Sequence, residues 1–304
     1  MEKIQDAIAK ARRIRDERLQ DGQMPTPPAF ISPEAPKRMN PEKAAPPKAA
    51  SDSSTPAAEP TSAASAVDRD QAWLALPELH VSTRRLRRNR ILTSLGGKDS
   101  ADFDMIRTRI IQAQRANGWK RIAITSPGPS SGKSTLALNL AFSFARQPEQ
   151  RTLIAEVDLR RPSLAKTLGL KQKYSFASVL GGAGAFEDNC FRIGANLAFS
   201  TNDHPTRNPS ELLQSEQCDA SLAGIEDRYA PTLTIFDMPP MLVGDDAMSF
   251  LPKVDAAILV AAAEQTTIKQ IDLCEREIAG QTNVLGVVLN KCRYVDRDQS
   301  YGYY

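Results

Sequence analysis

The stretch Ser126-Pro127-Gly128-Pro129-Ser130-Ser131-Gly132-Lys133-Ser134-Thr135 stands between an apolar run at 121–125 and an apolar helical pattern at 133–146. A turn of small residues that leaves a strand and opens a helix limits the folds open to the chain. Its backbone N–H groups can approach an anion closely, and the helix N-terminus adds a favourable partial charge. In such a turn Gly128, Ser130, Ser131 and Gly132 form the cradle and Lys133 reaches the β- and γ-phosphates. The Ser134 hydroxyl, followed by Thr135, is placed for Mg²⁺. The pattern GxxxxGK[ST] asks for its first glycine at position 127, where proline stands; Gly128 comes one residue late. Because a Gly/Ser/Pro turn before a helix is also ordinary loop chemistry, the motif needs support elsewhere in the chain.

Two acidic strand ends supply it. Residues 152–157 form a β-branched run whose end carries Glu156 and Asp158 at i and i+2, on one face of a strand. Arg160-Arg161-Pro162 follows. Residues 232–236 form a second run that ends in Asp237, after which Met238-Pro239-Pro240 turns the chain. Ligands in open α/β sheets sit at the carboxyl ends of strands, and a carboxylate there is how P-loop proteins hold hydrated Mg²⁺. Further strands are expected at 196–200, 256–260 and 284–289, with helices at 211–222 and 268–279. Continuous apolar strands alternating with helices predict an α/β fold, a P-loop NTPase with a mainly parallel sheet flanked by helices on both faces.

The rest of the chain is unlike this core. Ten of its 21 prolines lie between Pro25 and Ala66, among Ala, Ser, Thr, Glu and Lys. Such a segment buries too little surface to offset its ordering entropy, so residues 25–70 read as a disordered linker. Before it, Ile4, Ala7, Ile8, Ala11 and Ile14 recur at helical spacing, and residues 1–24 read as an amphipathic helix suited to protein docking, with membrane-surface contact as the other possibility. The cluster Arg84, Arg85, Arg87, Arg88 and Arg90 has no interleaved aromatics, and the net charge is only +3. It reads as a solvated or acid-pairing helix face, with no nucleic-acid partner. No apolar run approaches the roughly 18–20 residues of a membrane span, and no secretory signal opens the chain. Cys190, Cys218, Cys274 and Cys292 are widely spaced, as expected of reduced thiols in a cytoplasmic protein.

Aromatic placement is the last signal. Tyr294, Tyr301, Tyr303 and Tyr304 are four of the chain's six tyrosines and fall in its last 11 residues, among polar neighbours. A terminal strand or an aromatic anchor is the ordinary reading of residues 293–304. An exposed tail of phosphorylatable hydroxyls is the sharper one.

Together the nucleotide motifs and the tyrosine tail resemble the bacterial tyrosine kinases (BY-kinases) of capsule and exopolysaccharide biosynthesis. The chain is similar in particular to stand-alone cytoplasmic autokinases of the exosortase-associated type. The resemblance also rests on Arg107-Thr108, Asn208-Pro209-Ser210-Glu211-Leu212-Leu213, Asp245-Asp246-Ala247 and Val288-Leu289-Asn290-Lys291. It implies a kinase domain over 71–292 in which Lys133, Ser134 and Thr135 bind ATP and Mg²⁺. Asp158 and Asp237 would hold the metal, Arg160 would complete the acidic motif, and Asn290 would contact adenine. Glu156 takes the place of an aspartate held to act as base on the incoming tyrosine. The tail tyrosines are the implied phosphoacceptors. Implied partners are a membrane polysaccharide co-polymerase as activator, a tyrosine phosphatase and further copies of the chain, with peripheral association at the inner membrane through a partner. The family's oligomerisation motif, Glu-x-x-Arg-x-x-Arg, aligns on Ala101, Asp104 and Arg107, so only its last residue survives. The alternatives are a ParA/MinD-like ATPase, whose signature lysine would stand at Gly128, and a weakly catalytic nucleotide-sensing regulator.

Overall fold

The computed structural model describes residues 66–293. The helix expected over 1–24, most of the linker expected over 25–70 and the four tail tyrosines lie outside the described residues. Seven strands form one sheet: β1 Arg121–Thr125, β2 Thr152–Glu156, β3 Phe191–Ile193, β4 Leu197–Ser200, β5 Leu233–Asp237, β6 Ala256–Ala262 and β7 Asn283–Asn290. Their order is β3-β4-β2-β5-β1-β6-β7. Every pairing is parallel except β3 with β4.

The central strands are apolar throughout because helices cover both of their faces. On one side Ala123, Leu153, Ala155, Phe236 and Leu259 join a core closed by the Glu216–Tyr229 and Ile268–Ala279 helices. On the other, Ile122, Ile124, Ile154, Ile235 and Val260 pack against the Lys133–Ala145 helix. That helix is buried from Leu136 to Phe144, so the turn preceding it is set by a rigid element.

One expected element took a different form and one strand was not expected. Residues 211–222 read as one helix, yet the chain builds two, Pro209–Gln214 and Glu216–Tyr229. The break is Ser215, extended at φ −68° and ψ 147°, whose side chain accepts a hydrogen bond from the Cys218 amide as the cap of the second helix. β3 has no counterpart in the sequence reading: it is three residues long and only partly buried, too short for a periodic signal.

The helix Ala66–Leu74 begins inside the stretch expected as linker. Trp73, 1% exposed, donates from Nε1 to the Ala195 carbonyl at 2.8 Å, and the Arg151 guanidinium lies 5.2 Å from its ring centroid. Removing so large a buried ring leaves a cavity and an unpaired carbonyl. Trp73→Ala is expected to cost about 3–5 kcal/mol, seen as a lower urea midpoint with an unchanged slope.

Candidate nucleotide and phosphoryl-transfer site

The sheet order brings the three sequence motifs together. β2, β5 and β1 are neighbours, and in their registers Glu156 and Ile124 both pair with Asp237. The turn after β1, the acidic end of β2 and the acidic end of β5 therefore share one edge of the sheet, at its carboxyl side.

The turn itself is braced from within and from the β5 loop. The Ser126 and Ser131 hydroxyls both donate to the Gly128 carbonyl, at 2.7 and 3.0 Å. The Thr125 hydroxyl donates to the Pro239 carbonyl at 2.7 Å, and the Met241 and Leu242 amides donate to the Ser126 and Pro127 carbonyls. Ser130 is held at φ 60°, a left-handed conformation that non-glycine residues keep only where surroundings impose it. Nothing would lie within 4 Å of a Cβ on Gly128, so the displaced first glycine meets no steric demand here.

Gly132 is different. Its φ is +96°, and a Cβ would lie 2.1 Å from Asn290 Nδ2. The Asn290 amide, expected against adenine, donates to the Ser131 carbonyl at 2.9 Å and so ties the end of β7 to the turn. Gly132→Ala must displace Asn290 or distort the turn, and is expected to weaken nucleotide binding by at least about tenfold, measured by titration with a fluorescent ATP analogue.

Charges in the site are few and buried. Lys133 Nζ pairs with Asp158 Oδ2 at 3.1 Å, with the side chains 9% and 8% exposed. Asp237 is wholly buried, and neither of its oxygens has a hydrogen-bond partner of good geometry. Burial pushes its carboxyl up to about 6, while Lys133 and the nearby Ser134 hydroxyl oppose the rise. A buried carboxylate that accepts no well-formed hydrogen bond is costly, and a cation at Ser134 would satisfy it. Among the described residues no three His, Cys, Asp or Glu side chains form a metal cage. The donors on hand, one hydroxyl and two carboxylates, fit a divalent ion that keeps waters and phosphate oxygens in its shell.

Glu156 is also wholly buried. Burial and the Asp237 charge push its carboxyl up to about 7, against backbone amides that favour its ionised form. Arg160, from the same loop, makes a two-pronged ion pair with Asp246, and the Ser210 hydroxyl, with one proton to share, lies 2.7 and 2.6 Å from carboxylate oxygens of Asp245 and Asp246. Three separate pieces of sequence, at 160, 208–213 and 245–247, thus meet at one network. Ser210 and Asp246 belong to segments that carry the resemblance, but no site role was expected of either; only the contacts they make reveal one. Beside this network a cavity of about 330 Å³ is lined by Asp158, Arg160, Arg161, Pro239, Pro240, Val243, Gly244 and Asp246.

Ala101, Asp104 and Arg107 lie on the Ala101–Asn117 helix. Asp104 is drawn inward: it accepts from the Ser100 and Ser143 hydroxyls and pairs with Arg107 and Arg146. Arg107 also donates to the Ser143 carbonyl at 3.0 Å. What survives of the expected oligomerisation motif is engaged within the chain.

Comparison with known proteins agrees with this geometry. The sequence model of the CobQ/CobB/MinD/ParA nucleotide binding domain matches residues 122–301. The tyrosine-protein kinase YwqD of Bacillus subtilis is 31% identical over 223 residues, 72% of this chain and 92% of that protein. Among solved structures, the VpsO kinase domain superposes with a TM-score of 0.58 at 28% identity, covering 68% of this chain and 98% of that one. The kinase domain of the Escherichia coli tyrosine kinase ETK does so with a TM-score of 0.58 at 25% identity, covering 67% and 80%.

Proposed function

Because the chain belongs to the bacterial tyrosine kinases built on the CobQ/CobB/MinD/ParA nucleotide-binding domain, we propose that it transfers the γ-phosphoryl of ATP to tyrosine hydroxyls of its own C-terminal segment. The observation that carries this reading is the meeting of the Lys133–Asp158 pair with the buried Asp237, whose oxygens accept no hydrogen bond of good geometry, at the mouth of the Ser126–Thr135 turn. Turn amides cradle the α- and β-phosphates, and Lys133 places its charge on the β- and γ-phosphates. Ser134, Asp158 and Asp237 would hold Mg²⁺, which supplies neutralisation of the developing phosphate charge. Arg160, steadied by Asp246, lies at the rim of the 330 Å³ cavity, where an incoming tyrosine would meet the phosphate. In-line positioning of donor and acceptor is the larger part of such catalysis.

The acceptors are Tyr294, Tyr301, Tyr303 and Tyr304. Each phosphate adds about −1.5 to −2 charges, enough across these sites to loosen an assembly that docks through the tail. Capsule or exopolysaccharide synthesis is the process served, with a membrane polysaccharide co-polymerase as activator and a tyrosine phosphatase to reset the tail. No helix among the described residues is long and apolar enough to cross a membrane, and association with the inner membrane would run through the partner.

The test is mass spectrometry of the purified full chain with and without ATP and Mg²⁺. Phosphotyrosine is expected within residues 294–304 only when ATP is present. ATP hydrolysis without phosphotyrosine would instead favour a ParA/MinD-like ATPase.

A further inference from the structure

The loop between β2 and the Leu164–Leu168 helix carries Asp158 and Arg160, and its far end is fastened by a residue from its own beginning. Glu156 Oε1 accepts the Ser163 and Leu164 amides at 2.6 and 2.8 Å. Glu156 Oε2 accepts the Asn202 amide at 2.8 Å, and Asn202 returns a hydrogen bond from Nδ2 to the Glu156 carbonyl at 3.0 Å. The Asn202 side chain also accepts the Ala177 amide at 2.9 Å. One carboxylate therefore joins the end of β2, the start of the Leu164–Leu168 helix and the segment after β4.

We propose that Glu156 is a positioning residue for the nucleotide and metal site and not the base that receives the tyrosine proton. With both oxygens engaged by three amides and no exposed surface, its carboxylate is out of reach of a phenol unless the packing around it opens. The 330 Å³ cavity is walled by Asp158 and not by Glu156. What the anchor does is hold the two ends of its loop. Asp158, two residues on, stays against Lys133 at 3.1 Å and caps its own turn by accepting the Arg161 amide at 3.2 Å. Ser163, whose amide Glu156 holds, reaches back with its hydroxyl to Ser134 Oγ at 3.3 Å.

The position also explains why glutamate stands here. An aspartate would be shorter by one C–C bond, about 1.5 Å, and from the same backbone could not reach amides that now lie at 2.6–2.8 Å. The extra methylene, a displacement if the group were a base, is the reach an anchor requires.

This inference rests on the kinase reading only for its transfer arm; its binding arm is independent of it. Glu156→Gln and Ser163→Ala would be compared with the parent full chain for affinity toward a fluorescent ATP analogue, the Mg²⁺ concentration at half-saturation, and single-turnover phosphotyrosine formation at saturating ATP and Mg²⁺. Gln can still accept the Ser163 and Leu164 amides but sets its N–H₂ against the backbone N–H of Asn202. Positioning predicts that Glu156→Gln weakens nucleotide affinity by roughly tenfold, raises the Mg²⁺ requirement, and keeps saturated transfer within about tenfold of the parent. Ser163→Ala, which keeps the fold and the amide but loses the contact to Ser134, should raise the Mg²⁺ requirement severalfold. Unchanged affinity with transfer reduced by the 10²–10⁴ typical of a lost general base would overturn the proposal, as would a Ser163→Ala protein identical to the parent in Mg²⁺ requirement. A parent chain that forms no phosphotyrosine would instead refute the kinase reading, leaving the affinity comparison standing.

Discussion

Lys133→Met is expected to abolish phosphotyrosine formation, by at least about 10³-fold, without unfolding the chain. The lysine starts a helix buried through its next three turns, and methionine fills much the same stem volume. Its ammonium is the cation that faces Asp158 at 3.1 Å and also stabilises the charge on Asp237. Removal therefore acts twice: the transferring phosphate would lose a preorganised positive charge held among buried groups, where such charges count most, and two buried carboxylates lose their shared counter-ion. Phosphotyrosine mass spectrometry reads the first effect and circular dichroism checks the fold. Phosphotyrosine that persists in the variant would place the chemistry elsewhere in the chain.

Asp237→Asn should also silence transfer, yet make the nucleotide-free protein more stable. The Asp237 carboxyl is held at about 6 by burial, against about 3.9 for a free aspartate. A raised native value means that this group favours folding when protonated, and that the favour is lost as pH climbs through 6. At pH 7.5 the ionised group costs about 2–3 kcal/mol of stability. An uncharged amide escapes most of this cost, although its polar atoms remain unpaired. The expected gain is about 1–2 kcal/mol, or roughly 3–6 °C in melting temperature, measured by calorimetry without nucleotide. The parent should be more stable at pH 5.5 than at 7.5, with a shallower dependence in the variant; Glu156, pushed up to about 7, contributes with the same sign in both. Mg²⁺ and ATP should then raise the parent's melting temperature and leave the variant's nearly unmoved. A variant less stable than the parent at pH 7.5 would mean that the carboxylate is satisfied in a way its surroundings do not show.

These two variants touch residues that local patterns already mark. Lys133 follows a small-residue turn at the start of an apolar helix, and Asp237 ends an apolar strand; both features are adjacent in sequence and need no partner to be seen. Asn290, by contrast, is marked by its surroundings as a site residue but not for what it touches. Its amide holds the Ser131 carbonyl because β7 is carried, through β6, to the side of β1, a placement no local pattern states. Asp246 and Ser210 are further cases: nothing in their neighbours announces that Ser210 would meet Asp246 and Asp246 would meet Arg160.

The sequence by itself determined the class of fold, the small-residue turn before the Lys133–Ala145 helix and the carboxylates at two strand ends, since each follows from short-range periodicity and from the conformational limits of glycine, proline and β-branched residues. The tertiary structure decided what each carboxylate touches. Glu156 and Asp158 are two residues apart on the same chain and look alike as text. Burial against three amides commits the first to holding its loop, while the ion pair with Lys133 leaves the second at the wall of the cavity. That difference comes from amides at 163, 164 and 202, which approach Glu156 only after the sheet has formed.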